Sequence, residues 1–400
     1  MMVQPAAPMT HSAAAGRVRS SAIRDLLAVA GRDDVISLAG GMPAPEAFPT
    51  RELADAIAGL LAHDPGGALQ YSATEGYGPL RERIAADHSP GPDHVLVTSG
   101  SQQALELVVR TLVDPGADVV LADPGYVGAI QVLRLVGAHL VGVASDDDGL
   151  LVDDLGRRLA RGLRPALVYL VPNFDNPTGA SLSAERARAL AHLADHYGFV
   201  IVVDDPYRHL RWAGEAPPPL ESLTGRVVTL GSFSKVFCPG LRVGYAVAPP
   251  PTIRAMALVK QAADLHTASL NQRATYQLIS EPGFLESHLV RLRSLYQAKA
   301  AALVAALHVR LGDRLAFREP EGGMFIWGRL TSAGAGAEAL LGPAIAAGVA
   351  FVPGAAFGVG SGLTRHLRLS FATATADRLD VAAERLGRAL SASEASFAAS

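Results

Sequence analysis

The chain has 400 residues, 49% of them apolar, with 40 glycines and 26 prolines, so it can bury a large core and is too long for one small domain. Its formal net charge of −3 and its pI near 6.5 leave no basic footprint for binding nucleic acid. The one cysteine, Cys238, excludes an internal disulfide and a cysteine-rich metal site, and the 12 histidines show no metal-ligand spacing.

The amino terminus gives no targeting signal that we can interpret. The first residues lack the charged start and apolar core of a secretory signal, and no apolar run approaches the roughly 20 residues that a membrane span needs. We therefore expect a cytoplasmic protein in which residues 1–16 form a flexible tail.

The first element with chemical meaning is a strand–turn–helix pattern over residues 95–107. An apolar strand leads into a turn of serine and glycine, and a helix then begins near Ser101 and Gln102. Backbone N–H groups and the helix dipole make such a helix start an anion site. The pattern indicates either an anion site that includes Ser101 and Gln102 or an ordinary serine-capped helix.

Two further apolar runs end in polar turns. Residues 168–171 precede a turn rich in proline, asparagine and glycine that contains Asn176. Residues 199–203 are β-branched and apolar, as in a strand of a parallel sheet, and end at Asp204 and Asp205. Ligands of open α/β sheets bind at the carboxyl ends of strands. Asn176 and Asp204 are therefore candidate site residues, unless the first belongs to a plain turn and the aspartates merely cap the next one.

Residues 231–242 contain the most informative feature. Lys235 follows Ser232 and Ser234 and precedes Arg242. A lysine amine forms a Schiff base with a carbonyl, while hydroxyls and a guanidinium hold a phosphate. Pyridoxal 5'-phosphate (PLP) carries both groups. Taken alone, the stretch is also typical of a polar turn with a solvated lysine. A carboxylate at Asp204 would keep the pyridine nitrogen of PLP protonated, so that the ring stabilises a carbanion at the substrate α-carbon, and Asn176 would donate to the ring oxygen.

Strand and helix patterns alternate over residues 60–285, which predicts an α/β layer sandwich. A long amphipathic helix is predicted over residues 285–308 and a smaller α+β domain after it. We expect a frayed end from Ser391 onward.

Taken in order, these motifs resemble the fold-type I PLP enzymes, and within them the aminotransferases of the 2-aminoadipate and kynurenine type. The resemblance runs nearly end to end, since similar stretches occur at residues 36–45, 69–77, 261–267, 322–327, 351–354 and 367–371. It implies an α/β fold in which a large domain holds a mostly parallel sheet in an α/β/α sandwich beside a smaller α+β domain. The expected division is a tail at 1–16, an N-terminal segment at 17–59 that contributes to the small domain and the active site, a PLP-binding domain at 60–285 and a small domain at 286–400.

The resemblance also implies how the cofactor is held. Lys235 would form the internal aldimine and later move the substrate proton, and Asp204 would pair with the pyridine nitrogen. Asn176 and Tyr207 would bond the ring oxygen, and Tyr126 would stack on the ring. The phosphate-binding residues would be Ser101, Gln102, Ser232, Ser234 and Arg242.

For the substrate, the resemblance implies that Arg368 grips the α-carboxylate together with Asn176, and that Gly41 lets the main chain approach closely. Arg24 matches a position that meets a distal carboxylate in the aminoadipate enzymes. Tyr71 would reach the cofactor of a neighbouring subunit, which implies a homodimer with shared active sites.

We therefore expect an aminotransferase that moves an α-amino group between an amino acid and a 2-oxo acid. The alternative is a PLP enzyme of specialised metabolism that performs β/γ-replacement or carbon–carbon bond formation, because these reactions share their first steps. A transcriptional regulator built on the same fold needs a winged-helix domain, and we expect none in the short segment before Arg24. No metal, nucleic acid or membrane partner is expected.

One residue departs from the resemblance. Asp175 precedes the Asn-Pro-Thr-Gly turn where close relatives usually carry glutamine. An inward carboxylate would favour a substrate with a polar or cationic side chain, whereas an outward one would change nothing.

Overall fold

The structure is a computed structural model that describes residues 10–18, 26, 32, 34–88, 91–332, 336–360 and 362–398. It contains a large, mostly parallel sheet flanked by helices and a smaller antiparallel sheet. The expected fold class is thus confirmed.

The strands are numbered here in chain order. They are β1 Ile36–Ser37, β2 Val95–Thr98, β3 Asp118–Asp123, β4 His139–Asp146, β5 Gly149–Leu150, β6 Leu167–Leu170, β7 Val200–Asp204, β8 Val227–Ser232, β9 Gly244–Val247, β10 Leu315–Phe317, β11 Phe325–Leu330, β12 Val349–Ala350, β13 Val352–Pro353 and β14 His366–Ser370.

The helices are numbered in the same way. They are α1 Ala13–Gly16, α2 Thr50–His63, α3 Pro65–Leu69, α4 Gly78–His88, α5 Ser101–Leu112, α6 Val127–Val136, α7 Val152–Ala160, α8 Ala184–Tyr197, α9 Pro250–Asp264, α10 Ser269–Ser280, α11 Phe284–Leu311, α12 Ala337–Ala346 and α13 Ala376–Ala398.

The large sheet has the strand order β2-β9-β8-β7-β6-β3-β4-β5. The pairs β8–β7, β7–β6, β6–β3 and β3–β4 are parallel, whereas β9 runs antiparallel to both of its neighbours. The carboxyl ends of β2, β3, β6, β7 and β8 therefore meet at one edge of the sheet. This edge is where ligands of open α/β sheets bind.

Both faces of the large sheet are buried. In β6, Leu167 and Tyr169 enter one apolar cluster, while Val168 and Leu170 enter another. The first cluster includes residues of α5 and α6, and the second includes residues of α7 and α8. Because side chains alternate along a strand, helices cover both sides of the sheet, as the continuous apolar runs of its strands require.

The smaller sheet has the order β10-β11-β14-β13 and is antiparallel throughout. Near it, β1 pairs in parallel with β12, which joins the N-terminal segment to the C-terminal part of the chain. Helix α11 packs against α13. This arrangement carries β14, and with it Arg368, toward the edge of the large sheet.

The predicted long helix is present and slightly longer than expected, from Phe284 to Leu311. The frayed end predicted from Ser391 is wrong, because α13 continues to Ala398. Arg314 fixes this last part of the helix by donating from Nη1 to Ser391 Oγ at 2.8 Å and by pairing with Glu394 at 3.6 Å. At the other end, Ala13–Gly16 form one helical turn within the predicted tail.

None of the helices in the described ranges combines the length and the apolar character that crossing a membrane requires.

Candidate active site

A cleft of about 530 Å³ opens at the carboxyl edge of the large sheet. It brings together most of the residues that the sequence singles out, although they are far apart in the chain. These are Gly41, Ser101, Gln102, Tyr126, Asn176, Asp204, Tyr207, Ser232, Ser234, Lys235, Arg242 and Arg368.

Lys235 lies just after β8 and projects into this cleft. Its Nζ donates to the carbonyl oxygen of Gly41 at 2.7 Å. Burial, with a smaller contribution from the cations Arg368 and Arg242 and against the effect of Asp204, lowers the pKa of Lys235 to about 8. A lysine amine with this pKa is partly unprotonated near neutral pH and can act as a nucleophile or base.

Asp204 is the last residue of β7 and is only 4% exposed. Its Oδ2 accepts a hydrogen bond from Tyr169 Oη at 2.9 Å, whereas its buried Oδ1 has no partner among the described residues. Burial raises the pKa of Asp204 to about 6, against the opposing effects of Tyr169 and Lys235. One oxygen of this carboxylate is therefore fixed and the other remains to be satisfied.

Tyr169 is a site residue that the sequence analysis did not assign. The parallel register pairs Tyr169 with Val202, two residues before Asp204, so its side chain lies on the same face of the sheet as the Asp204 side chain. A polar tyrosine within an apolar strand was the available signal. It could be interpreted only once the register of β6 against β7 was known.

One end of the cleft collects groups that bind anions. Ser101 and Gln102 lie in the first turn of α5, and the buried Ser232 and Ser234 line the same cleft. Arg242 adopts a left-handed backbone conformation (φ 52°) and donates from Nη2 to the carbonyl oxygen of Ser99 at 3.0 Å. A helix start, two hydroxyls and a guanidinium are the kinds of donor that a phosphate group needs.

Two tyrosines, Tyr126 and Tyr207, line the cleft. Tyr126 Oη donates to Gln102 Oε1 at 3.2 Å, and burial raises the pKa of Tyr126 to about 12. Tyr207 contacts Phe325 edge to face, with ring centroids 5.9 Å apart, and burial also raises the pKa of Tyr207. Both phenols therefore stay protonated at physiological pH and act as neutral donors.

Arg368, in β14, is 1% exposed. Its Nη1 donates to Asn176 Oδ1 at 2.6 Å and its Nη2 to the carbonyl oxygen of Ala39, while the buried Nε has no partner among the described residues. Its guanidinium carbon lies 4.4 Å from the ring centroid of Phe325 and 5.0 Å from that of Phe357. Burial lowers the pKa of Arg368 to about 10, so it remains a cation near neutral pH.

One predicted site residue among the described ones, Tyr71, does not line the cleft. Tyr71 is 80% exposed and packs edge to face on His266 at 5.6 Å, and its predicted contact with a neighbouring subunit remains a prediction. Arg24 lies outside the described residues.

Asp175 is buried but does not line the cleft. Its Oδ2 accepts from Thr178 Oγ1 at 2.9 Å, and its backbone N–H donates to the Ala180 carbonyl at 2.8 Å. Burial raises the pKa of Asp175 to about 7, partly offset by its hydrogen bonds with Thr178. The carboxylate thus closes the turn that carries Asn176 and does not face a substrate side chain.

A second cavity, of about 550 Å³, is lined by Phe174, Arg211, Arg318 and Trp327, among others. None of the predicted site residues lines it. Two of its charged groups already pair with each other, since Arg318 lies 3.0 Å from Glu321. The chemistry therefore belongs to the cleft that contains Lys235.

The residues of this cleft fit PLP. A buried, unpartnered carboxylate oxygen needs a donor, and the protonated pyridine nitrogen of the cofactor is such a donor for Asp204 Oδ1. Lys235 would meet the cofactor carbonyl, and the anion-binding end would take its phosphate.

The chain is similar to known proteins over nearly its full length. Residues 33–386 match the family of class I and II aminotransferases. A 2-aminoadipate transaminase of Thermus thermophilus is 43% identical over 381 residues, which cover 94% of this chain and 95% of that protein. The mitochondrial kynurenine/α-aminoadipate aminotransferase of Bos taurus is 31% identical over 388 residues, which cover 88% of this chain and 91% of that protein.

The fold also agrees with that of a related protein whose crystal structure is known. The α-aminoadipate aminotransferase LysN of Thermus thermophilus, solved with N-(5'-phosphopyridoxyl)-L-leucine, superposes with a TM-score of 0.90 at 40% identity, covering 96% of this chain and 98% of that one. The expected family, cofactor and reaction class are confirmed. The chain belongs to the class I and II aminotransferases and is a PLP-dependent enzyme that transfers an amino group between amino acids and 2-oxo acids.

Proposed function

We propose that Lys235, Asp204 and Arg368 are the reactive, cofactor-tuning and substrate-anchoring groups of this aminotransferase. The observation that carries the proposal is their convergence on one cleft from three separate parts of the chain. Asp204 and Arg368 are buried and Lys235 is partly buried, and each has at least one polar atom held by a neighbour.

The cofactor would lie with its phosphate against Ser101, Gln102, Ser232, Ser234 and Arg242. Asp204 would hold the pyridine nitrogen, Asn176 and Tyr207 the ring oxygen, and Tyr126 the ring face. When bound, PLP supplies a carbonyl that takes up the amino group and a ring that accepts electron density from the substrate α-carbon.

Lys235 would anchor the cofactor and then carry a proton. Its Nζ would hold the cofactor and would move the proton of the substrate α-carbon, first as a base and then as an acid. The pKa near 8 suits both directions, because the amine can gain and lose a proton near neutral pH.

Arg368 would bind the α-carboxylate. Asn176 and the Ala39 carbonyl occupy two of its donors and fix the plane of the guanidinium, and the rings of Phe325 and Phe357 flank it. A fixed fork in a buried site binds a carboxylate with two directed hydrogen bonds, which a flexible ammonium cannot do. Gly41 would let the substrate pass close to the main chain.

We further propose that the amino donor is 2-aminoadipate or a related dicarboxylic amino acid. This rests on the 43% identical relative named 2-aminoadipate transaminase and on Arg24, which matches the position for a distal carboxylate. The alternative of a cationic substrate loses its support, since Asp175 is held by Thr178 and does not line the cleft.

The proposed assembly is a homodimer in which Tyr71, exposed in the single chain, reaches the partner's cofactor. We also keep as proposals a cytoplasmic location and the division into residues 17–59, 60–285 and 286–400. The pairing of β1 with β12 supports assigning the N-terminal segment to the small domain.

The proposed reaction is tested by tracing the amino nitrogen from the donor to the acceptor. The holoenzyme is incubated with ¹⁵N-labelled 2-aminoadipate and 2-oxoglutarate, with labelled leucine and lysine as comparison donors, and the products are identified by mass. Formation of ¹⁵N-glutamate and 2-oxoadipate in equal amounts, faster than from the comparison donors, supports the proposal.

The alternative chemistry gives different products. Loss of a side-chain substituent or a new carbon–carbon bond, without ¹⁵N-glutamate, would contradict transamination. The Arg24→Ala variant separates the substrate proposal from the reaction. It should lose activity with 2-aminoadipate and keep it with leucine, and equal losses with both donors would refute the distal-carboxylate role.

A further inference from the structure

The chain contains three lysines, Lys235, Lys260 and Lys299, against 32 arginines. Lys260 is 0% exposed, which is unusual for a charged residue. Lysine carries a compact ammonium with three donors, whereas arginine carries a wide planar fork. In a chain that uses arginine at almost every other cationic position, a buried lysine marks a place where the ammonium geometry matters.

Lys260 lies on α9, and its ammonium group donates three hydrogen bonds. Its Nζ donates to Asp264 Oδ1 at 2.7 Å, to Asp264 Oδ2 at 3.0 Å and to Gln103 Oε1 at 3.0 Å. Gln103 in turn donates from Nε2 to Asp264 Oδ2 at 2.6 Å. Lys260, Asp264 and Gln103 therefore form a closed, charged triad that joins α9 to the first turn of α5.

The triad holds Ser99, the residue after β2. The backbone N–H of Ser99 donates to Gln103 Oε1 at 2.8 Å, and its hydroxyl donates to Asp264 Oδ2 at 3.2 Å. Two separate hydrogen bonds thus fix both the main chain and the side chain of Ser99.

Ser99 in turn holds Arg242 through a hydrogen bond. Its carbonyl oxygen accepts from Arg242 Nη2 at 3.0 Å. The guanidinium also lies so close to Gly100, at φ +83°, that a β-carbon there would overlap it. Arg242 lines the cleft, whereas Lys260, Asp264, Gln103 and Ser99 do not.

Stability alone does not explain why a charged lysine is buried at this place, beside the partly exposed Asp264. Desolvation of the ammonium offsets much of its attraction to the carboxylate, and an apolar replacement of similar volume is often neutral for stability. What an apolar replacement cannot supply is a directed set of hydrogen bonds that fixes one loop geometry.

We propose that the Lys260–Asp264 ion pair is a positioning device for the phosphate end of the cofactor: through Gln103 and Ser99 it holds Arg242 in place and so raises the affinity for the phosphate group. This inference rests on the proposed role of Arg242 at the phosphate. Lys260 is a positioning residue, since it touches neither cofactor nor substrate.

The test compares two ligands that differ only in the phosphate. The rate of PLP loss from the holoenzyme is measured, and the stripped full-length protein is then titrated with PLP and with pyridoxal. Lys260→Met keeps the length of the side chain and leaves Asp264, which is 30% exposed, able to take up water. We expect this variant to bind PLP about tenfold more weakly while its affinity for pyridoxal changes by less than about twofold.

Lys299→Met is the matched control. Lys299 is also buried, at 4% exposed, and its Nζ lies 2.5 Å from Glu46 Oε1 and 2.9 Å from the Ala372 carbonyl. Neither of these bonds involves residues 99–103. The ratio of PLP to pyridoxal affinity should stay at the wild-type value in this variant. A double variant, Lys260→Met with Arg242→Ala, should bind PLP no more weakly than Arg242→Ala alone, because both changes act on one contact.

The results distinguish a failure of the proposed phosphate site from a failure of the positioning role of Lys260. If Arg242→Ala weakens PLP and pyridoxal equally, the proposed phosphate site and the inference both fail. If Arg242→Ala is selective for the phosphate and a folded Lys260→Met is not, the phosphate site stands and the positioning role is wrong. Should Lys260→Met not fold, Gln103→Met must show the same phosphate-selective loss, and an unchanged PLP affinity in that variant overturns the inference.

Discussion

Asp204 has one oxygen held by the protein, and in our proposal it offers the other to the cofactor. Tyr169 holds Oδ2, and this hydrogen bond both orients the carboxylate and favours its charged form against the cost of burial. Without it the carboxylate would be free to rotate, and its pKa would rise further. Tyr169 therefore influences the electron sink without touching it.

We expect Tyr169→Phe to lower kcat by roughly 10- to 100-fold, since a hydrogen bond to a charged group contributes about 1.5–3 kcal/mol. The acidic limb of the kcat–pH profile should move to higher pH, because the pKa of Asp204 rises when the donor is lost. Tyr197→Phe, far from the cleft on α8, is the control for removing a hydroxyl. A lower kcat with an unmoved acidic limb would show that Tyr169 acts by packing alone.

Lys235 can be tested cleanly because the chain has so few lysines. Borohydride reduction of the holoenzyme should fix the cofactor on Lys235, and Lys235→Ala should lose turnover while it keeps its fold by circular dichroism. The rate at which the stripped wild-type protein takes up PLP should rise with pH through about 8, where the buried amine loses its proton. Label on Lys260 or Lys299 would refute the assignment.

A strand and a turn meet at Arg368, the proposed anchor of the substrate carboxylate. In β14, Arg368 lies opposite Trp327 of β11 and Val352 of β13, so the strand is held on both sides. The turn over residues 173–180 presents Asn176 to it and is closed by the Asp175–Thr178 hydrogen bond. The position of the guanidinium is therefore set by a sheet and a turn together.

Arg368→Lys should raise KM by about tenfold or more for every amino-acid substrate, since one ammonium cannot hold Asn176, the Ala39 carbonyl and a bidentate carboxylate at once. Arg365→Lys, which changes an arginine that bonds the carbonyls of Thr331 and Ser332 outside the cleft, controls for the substitution. An increase confined to dicarboxylic substrates would mean that Arg368 binds the distal group instead.

Elements whose signal is local could be predicted from the sequence. The apolar runs before Asn176, Asp204 and Lys235 are strands that end at the cleft, because parallel strands place their carboxyl ends at one edge. The role of Tyr169 could not be predicted, since it depends on the register of β6 against β7. The environment of Asp175 could not be predicted either, because it depends on how its turn folds back on itself. The last turns of α13 could not be predicted because Arg314, in the turn that follows α11, holds them.

Burial of carboxylates at one edge of the large sheet makes the folding stability of the protein depend on pH. Burial raises the pKa of Asp175 to about 7, that of Asp205 to about 7 and that of Asp204 to about 6. In the unfolded chain such groups lose their proton near pH 4. The folded state therefore binds more protons between about pH 4 and 7, and the stability that these groups contribute is lost as pH rises through this range.

Asp175 offers the test, because it does not line the cleft. Replacing it with asparagine removes its titration and keeps an acceptor for Thr178, so any constant cost of the amide cancels when two pH values are compared. With PLP saturating in both proteins, the loss in unfolding free energy between pH 5 and pH 8 should be smaller in Asp175→Asn by up to roughly 2–3 kcal/mol, given about 1.4 kcal/mol per pKa unit. Urea denaturation at the two pH values measures this, with the exposed Asp147→Asn as control. If the variant and the wild type lose the same free energy, Asp175 keeps an ordinary pKa in the folded enzyme, and the aspartate at this position carries no pH dependence.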